Sequence, residues 1–268
     1  MQLSSGVHVS GQGPAVVFLH SSLSSSRQWF PLVQSLNQNF TCINIDLLGY
    51  GLADNVTEQD KENYSFDVEV KRIIANVSSI IGDRPFHLVG HSCGGAIALK
   101  MAVEAPQKLI SMTLFEPVAF HLLPIDSQER RTSDDFARYV DIDDNYKAAE
   151  IFTNFWNSEG FFNALPNKMK ALMAKDMPKV RLDFRGIMAE SYTLDDVEKV
   201  LVPCLLKVGE DSPELSKYLA EKIVSSLPNG ELKLTSGGHM APISHAEEVL
   251  ANKAEFILAQ QTLFTASL

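Results

Sequence analysis

The chain has 268 residues, 45% hydrophobic and 21% charged, with a formal net charge of −10. That is the make-up of a globular protein with room for a sizeable core, and its acidic surface would repel nucleic-acid phosphate and anionic lipid, so neither is an expected partner. No apolar run approaches the roughly 20 residues of a membrane span, the opening MQLSSGVHVSGQG lacks the basic and apolar regions of a secretory signal, and Cys42, Cys93 and Cys204, far apart and without metal-ligand spacing, read as the reduced thiols of a cytoplasmic protein.

From the N-terminal side, strand-like and helix-like stretches alternate. Residues 15–20 (AVVFLH) form a short apolar run, 27–36 a helical pattern, 40–46 (FTCINID) a second apolar run and 65–81 a second helix. Residues 86–89 (FHLV), the helix 93–104 and the run 109–115 (LISMTLF) follow. After residue 200 come 203–208 (PCLLKV), a helix over 213–227, 231–235 (ELKLT) and a helix over 245–259. Short apolar runs bounded by turn residues are how buried parallel strands read. Helical stretches with apolar residues three and four apart cover them. The alternation predicts an α/β fold with a mostly parallel central sheet flanked by helices.

Residues 117–199 break this rhythm. The stretch holds no convincing strand but many large apolar side chains among helix formers, including Phe136, Phe152, Phe155, Trp156, Met173 and Phe184. It reads as a helical lid inserted into a core made of 1–116 and 200–268. Most of its aromatics are expected to pack the lid's own core, with a minority lining a pocket.

Gly90-His91-Ser92-Cys93-Gly94 has the form G-x-S-x-G between a predicted strand and a predicted helix. A tight turn there pushes a serine side chain out above the sheet, and the flanking glycines make room for the backbone. Ser92 is therefore the candidate nucleophile. The unpaired N–H groups and positive dipole end of the helix start place the Cys93 N–H to hold an oxyanion. His239, in the glycine-rich SGGHMAP after the last strand, is the candidate base, because imidazole titrates near neutrality. Glu116 and Asp211, each beyond the carboxyl end of a predicted strand, are the two candidates for the acid that orients it.

The chain resembles the α/β-hydrolase fold superfamily along nearly its whole length, through LHSS at His20, DLLGYG at Asp46, GHSCGG at the serine, VGEDSP after the late strand and GGHMAP at His239. The resemblance usually puts the acid three residues after the glycine of the late strand, where this chain has Ser212. A variation puts a glutamate after the preceding core strand, where Glu116 stands. Glu116 is preferred on that ground and Asp211 remains the alternative. The resemblance also implies a second oxyanion donor after the early strand, the N–H of Ser22 with Leu23 as alternative, although His20-Ser21 replaces the usual His-Gly.

Haloalkane dehalogenases and epoxide hydrolases of this fold carry an aspartate at the elbow, and Ser92 argues against both. No phosphate cradle, dinucleotide fingerprint or metal-ligand cluster is present, so no cofactor and no metal is expected. The expected activity is acyl transfer to water from a small or medium hydrophobic ester or acyl substrate, carboxylesterase-like. Thioesterase, lactonase, carbon–carbon bond hydrolase and cofactor-free perhydrolase are alternative chemistries for the same groups. A ligand-binding or receptor-like role with little turnover is the alternative class.

Overall fold

The computed structural model describes residues 3–266. Among them one sheet contains β1 (Val7–Ser10), β2 (Ala15–Leu19), β3 (Thr41–Ile45), β4 (Phe86–His91), β5 (Leu109–Phe115), β6 (Cys204–Gly209) and β7 (Gly230–Thr235). The spatial order is β1-β3-β2-β4-β5-β6-β7. β1 lies antiparallel to β3, and the other pairings are parallel. No apolar run in the sequence marks β1. It is a four-residue edge strand whose middle positions are exposed, so it lacks the apolar run that marks its neighbours.

The helices are α1 (Phe30–Leu36), α2 (Glu58–Glu62), α3 (Phe66–Ile81), α4 (Cys93–Glu104), then α5 (Gln128–Val140), α6 (Asn145–Trp156), α7 (Phe161–Ala164), α8 (Asn167–Ala189) and α9 (Leu194–Val197), and after β6 α10 (Glu214–Ser226), α11 (Ala241–Ser244) and α12 (Ala246–Ala266). Strand side chains alternate between two cores. Val17, Leu19, Leu88 and Leu114 pack with α3, α4 and α10. Val16, Phe18, Val89 and Phe115 pack on the other face, with Leu32 and Leu36 of α1 and Val249 and Ile257 of α12.

Helices α5 to α9 all fall between β5 and β6, and no strand interrupts them. Their large apolar residues, among them Phe136, Trp156, Met177 and Phe184, belong to the same continuous buried cluster as the sheet residues beneath. The segment's aromatics pack on one another, Phe136 against Phe152, Phe155, Trp156 and Phe184, and continuous apolar packing joins them to the sheet.

The strand order fixes where a site can form. The chain leaves β2 toward β3 on one side, returns past β2, and continues from β4 toward β5 on the other. The loops after β2 and β4 diverge, which opens a crevice at their carboxyl ends. Ser22 follows β2, Ser92 follows β4, Glu116 follows β5, Asp211 follows β6 and His239 follows β7.

Candidate active site

β4 ends at His91 and α4 begins at Cys93, so Ser92 makes the turn alone, at φ 54° and ψ −120°. A side-chain-bearing residue holds such a conformation at a cost of about 1–3 kcal/mol, and only where its surroundings insist on it. The Ser92 N–H donates to the Phe115 carbonyl at 3.0 Å, and the Ser92 carbonyl accepts from the Ala96 N–H at 2.9 Å. The motif's glycines allow the close approach. A Cβ on Gly90 would meet the Gly94 carbonyl oxygen at 2.6 Å, and one on Gly94 would lie 2.5 Å from the carbonyl oxygens of both Leu19 and His20.

His239 Nε2 lies 2.9 Å from Ser92 Oγ, and His239 Nδ1 lies 2.6 Å from Glu116 Oε2. The other carboxylate oxygen of Glu116 accepts from the Gly209 N–H at 2.8 Å and from the Ser212 hydroxyl. Burial pushes the Glu116 carboxyl up, but His239, Ser212 and the Gly209 N–H together outweigh it and hold the group below its ordinary range. An ionised carboxylate only accepts hydrogen bonds. Nδ1 therefore carries the imidazole proton, and Nε2 is left as the acceptor facing the serine hydroxyl.

Asp211, the other candidate acid, does not meet His239. It is exposed, and its carboxylate makes no hydrogen bond or ion pair among the described residues. The turn after β6 swings Ser212 inward and Asp211 outward, with the Asp211 N–H donating to the Gly237 carbonyl at 3.0 Å. Asp211 does not cap α10 either, whose N-cap is Pro213 with no side-chain bond.

The N–H groups of Cys93, Ser22 and Leu23 donate to no protein group among the described residues. The Gly94 N–H donates to the His20 carbonyl at 3.2 Å, which stitches the end of β2 to the elbow. Leu23 has φ 56° and Glu116 φ 41°. With Ser92, these are the non-glycine residues at positive φ among those described, and all three lie at this site.

Two further residues shape the site. His91 Nε2 donates to the His239 carbonyl at 2.9 Å, and burial keeps its imidazole neutral by lowering its pKa well below the usual value. Its place inside the serine motif was the only signal in the sequence. Trp156 of α6 stacks on the His239 ring, with centroids 3.8 Å apart and planes at 22°. Ser92 is 5% exposed and His239 2%. Beside them is a cavity of about 270 Å³ lined by Ser22, Leu23, Phe152, Trp156, Met173 and Met240 among others. Leu23, Met173 and Ile243 also border an outer groove of about 850 Å³. His20 takes no part in the serine–imidazole pair. Its Nε2 accepts from the Leu47 N–H at 2.9 Å and its Nδ1 donates to the Ser21 carbonyl at 2.7 Å.

A serine raised on a strained strand-to-helix turn, an imidazole on it and a carboxylate behind, all at the carboxyl edge of a mostly parallel sheet, mark the class of hydrolases. The chain belongs to the alpha/beta hydrolase family, whose model matches residues 16–252. It is 33% identical over 119 residues (44% of this chain and 34% of the relative) to monoacylglycerol lipase abhd6-B of Xenopus laevis. It is 30% identical over 120 residues (43% and 38%) to a fluoroacetate dehalogenase of Burkholderia sp.. These matches thus span 34% and 38% of the relatives' own lengths. The structure of a malate-bound thermophilic esterase from Thermogutta terrifontis aligns with a TM-score of 0.76 at 18% identity, covering 96% of this chain and 93% of that one, a likeness of fold.

Proposed function

We propose that this chain is a serine hydrolase of small or medium hydrophobic esters, carboxylesterase-like, with Ser92 as nucleophile, His239 as base and Glu116 as the acid that orients it. The observation that carries this reading is the unbroken chain of short contacts from Ser92 Oγ through both imidazole nitrogens to Glu116. Ser92 attacks the ester carbonyl while Nε2 takes its proton. The N–H groups of Cys93 and Ser22, which donate to no group among the described residues, receive the oxyanion. His239 then protonates the leaving alcohol, and water discharges the acyl-enzyme by the same route. Residues 117–199 serve as the lid, with Trp156 over the imidazole and Phe152 and Met173 supplying apolar wall. A serine suits esters and not halides. Displacing halide from carbon would leave Ser92 as an ether that water cannot discharge.

A fluorophosphonate probe is expected to label Ser92. Ser92→Ala is expected to abolish labelling and to lower hydrolysis of a p-nitrophenyl ester by a factor on the order of 10⁶. A wild-type serine that stays unlabelled, with no turnover across a panel of esters, thioesters and lactones, would overturn this reading in favour of a ligand-binding protein.

A further inference from the structure

Helix α8 reaches the loop after β2. Asp183 of α8 is 1% exposed. Its Oδ2 accepts from the Ser22 hydroxyl at 2.6 Å and from the Tyr50 hydroxyl at 2.6 Å. Its Oδ1 takes the ammonium of Lys179, one turn earlier on the same helix. Lys179 also lies 3.4 Å from Glu69 of α3 and donates to the Tyr64 hydroxyl at 3.2 Å. A buried polar cluster thus joins α8 and α3 to the loops after β2 and β3.

Stability alone is a poor reason for such a cluster. Desolvating the charges offsets most of their attraction, and apolar replacements of similar volume are often neutral or better. Where it ends is more informative. Asp183 is the member that touches Ser22, whose N–H is one of the three near the nucleophile, with those of Cys93 and Leu23, that donate to no group among the described residues. The neighbouring ties of this loop hold other atoms. Gln28 Oε1 accepts from the Ser21 N–H at 3.3 Å and hydroxyl at 3.0 Å, and the His20 carbonyl accepts from Gly94. Beyond Ser21 the chain passes through Leu23 at positive φ, a conformation that needs outside support. The Ser22 hydroxyl clamped by Asp183 provides it, and Lys179 offsets the negative charge that Asp183 would otherwise present to a developing oxyanion.

We propose that Asp183 is a positioning residue. From α8 it holds the Ser22 peptide in register for the oxyanion, so that the second donor is in place only while α8 is docked on the core. This rests on the serine-hydrolase reading above. Oxyanion donors act at about 2.7–3.1 Å, and a misplacement of about 1 Å can cost on the order of 10² in rate. The loss falls on the transition state, because the ground-state ester does not occupy that position.

Ser22→Ala removes the hydroxyl but keeps the N–H. It is expected to lower kcat about 10- to 100-fold with KM changed less than about threefold, and to weaken an alkylboronic acid, which forms a tetrahedral adduct on the serine, by a similar factor. Asp183→Asn is expected to show the same split, and the double variant to be no slower than Asp183→Asn alone, since both break one linkage. Urea unfolding checks that each variant is folded. If Asp183→Asn does not fold, the Ser22→Ala split and its boronate affinity decide the matter. A Ser22→Ala enzyme with wild-type kcat, a defect confined to KM, or single effects that multiply in the double variant would overturn the inference. Failure of the serine-hydrolase reading shows separately, as wild-type protein that the fluorophosphonate does not label.

Discussion

Glu116→Gln tests the acid with almost no change of shape. Three donors converge on this carboxylate: His239 Nδ1–H at 2.6 Å, the Gly209 N–H at 2.8 Å and the Ser212 hydroxyl. A glutamine offers one acceptor oxygen and an NH₂ group. If the oxygen stays with Gly209, the NH₂ faces Nδ1 and forces the imidazole proton onto Nε2. That nitrogen then donates toward Ser92 and cannot accept its proton. If the oxygen turns to Nδ1, the NH₂ meets the Gly209 N–H, and a buried donor goes unpaired at a cost of about 1–3 kcal/mol. The hydroxyl of Ser212 can rotate to accept, but an amide N–H cannot. The first arrangement therefore wins, and the wrong tautomer should lower kcat about 10⁴-fold, roughly 5 kcal/mol of barrier. Asp211→Asn alters an exposed carboxylate with no partner among the described residues, and is expected to leave kcat within about twofold and stability within about 0.5 kcal/mol. The assay is kcat/KM on a p-nitrophenyl ester with the three proteins side by side. An Asp211→Asn enzyme that is the crippled one, or a Glu116→Gln enzyme within tenfold of wild type, refutes the reasoning.

Trp156→Ala removes the ring stacked on His239 and one wall of the inner cavity. It is expected to cost about 3–5 kcal/mol in urea unfolding and to raise the kcat/KM of bulky acyl esters relative to acetate; an unchanged ratio would remove Trp156 from the substrate's path. Lys253 is fully buried, its Nζ without a hydrogen-bond partner among the described residues and over the faces of Trp29 at 4.6 Å and Phe115 at 5.3 Å. The ring faces favour its charged form, but burial, aided by Lys207, pushes the pKa well below the usual lysine value. The unfolded chain then binds a proton, near pH 10.4 and below, that the folded chain refuses until its own lower pKa is reached. Stability therefore falls as pH drops through that window. Lys253→Met is expected to raise the urea midpoint at pH 7, by the equivalent of more than about 1 kcal/mol, and to flatten the dependence between pH 8 and 10; a lower midpoint would show that the amine is stabilised where it lies.

The sheet was largely legible in the amino-acid order. The run 109–115 and the helix 93–104 coincide with β5 and α4, and the other central strands end within a residue or two of their apolar runs. Burial on both faces writes a largely apolar signature over five to seven residues, and no distant partner is needed to read it. The half-exposed β1 has no such signature. The elbow was equally local, because a strand, two glycines and a helix start are consecutive in the chain. His239 stood out from the other histidines by its glycine-rich loop after the last strand.

What the order of residues determined by itself was the central strands, the helices between them and the turn that exposes Ser92, since these follow from interactions among near neighbours. Tertiary structure alone decided which groups converge. Glu116 and Asp211 follow adjacent strands and look equivalent along the chain; the turn over 209–212 faces Ser212 inward, leaving Glu116 on the imidazole and Asp211 in solvent. Asp183 and Trp156 read as ordinary helix positions until the packing of α6 and α8 sets one against Ser22 and the other against His239. Pattern carries information over a few residues, whereas a site spanning 161 positions from Ser22 to Asp183 exists only once the chain has closed on itself.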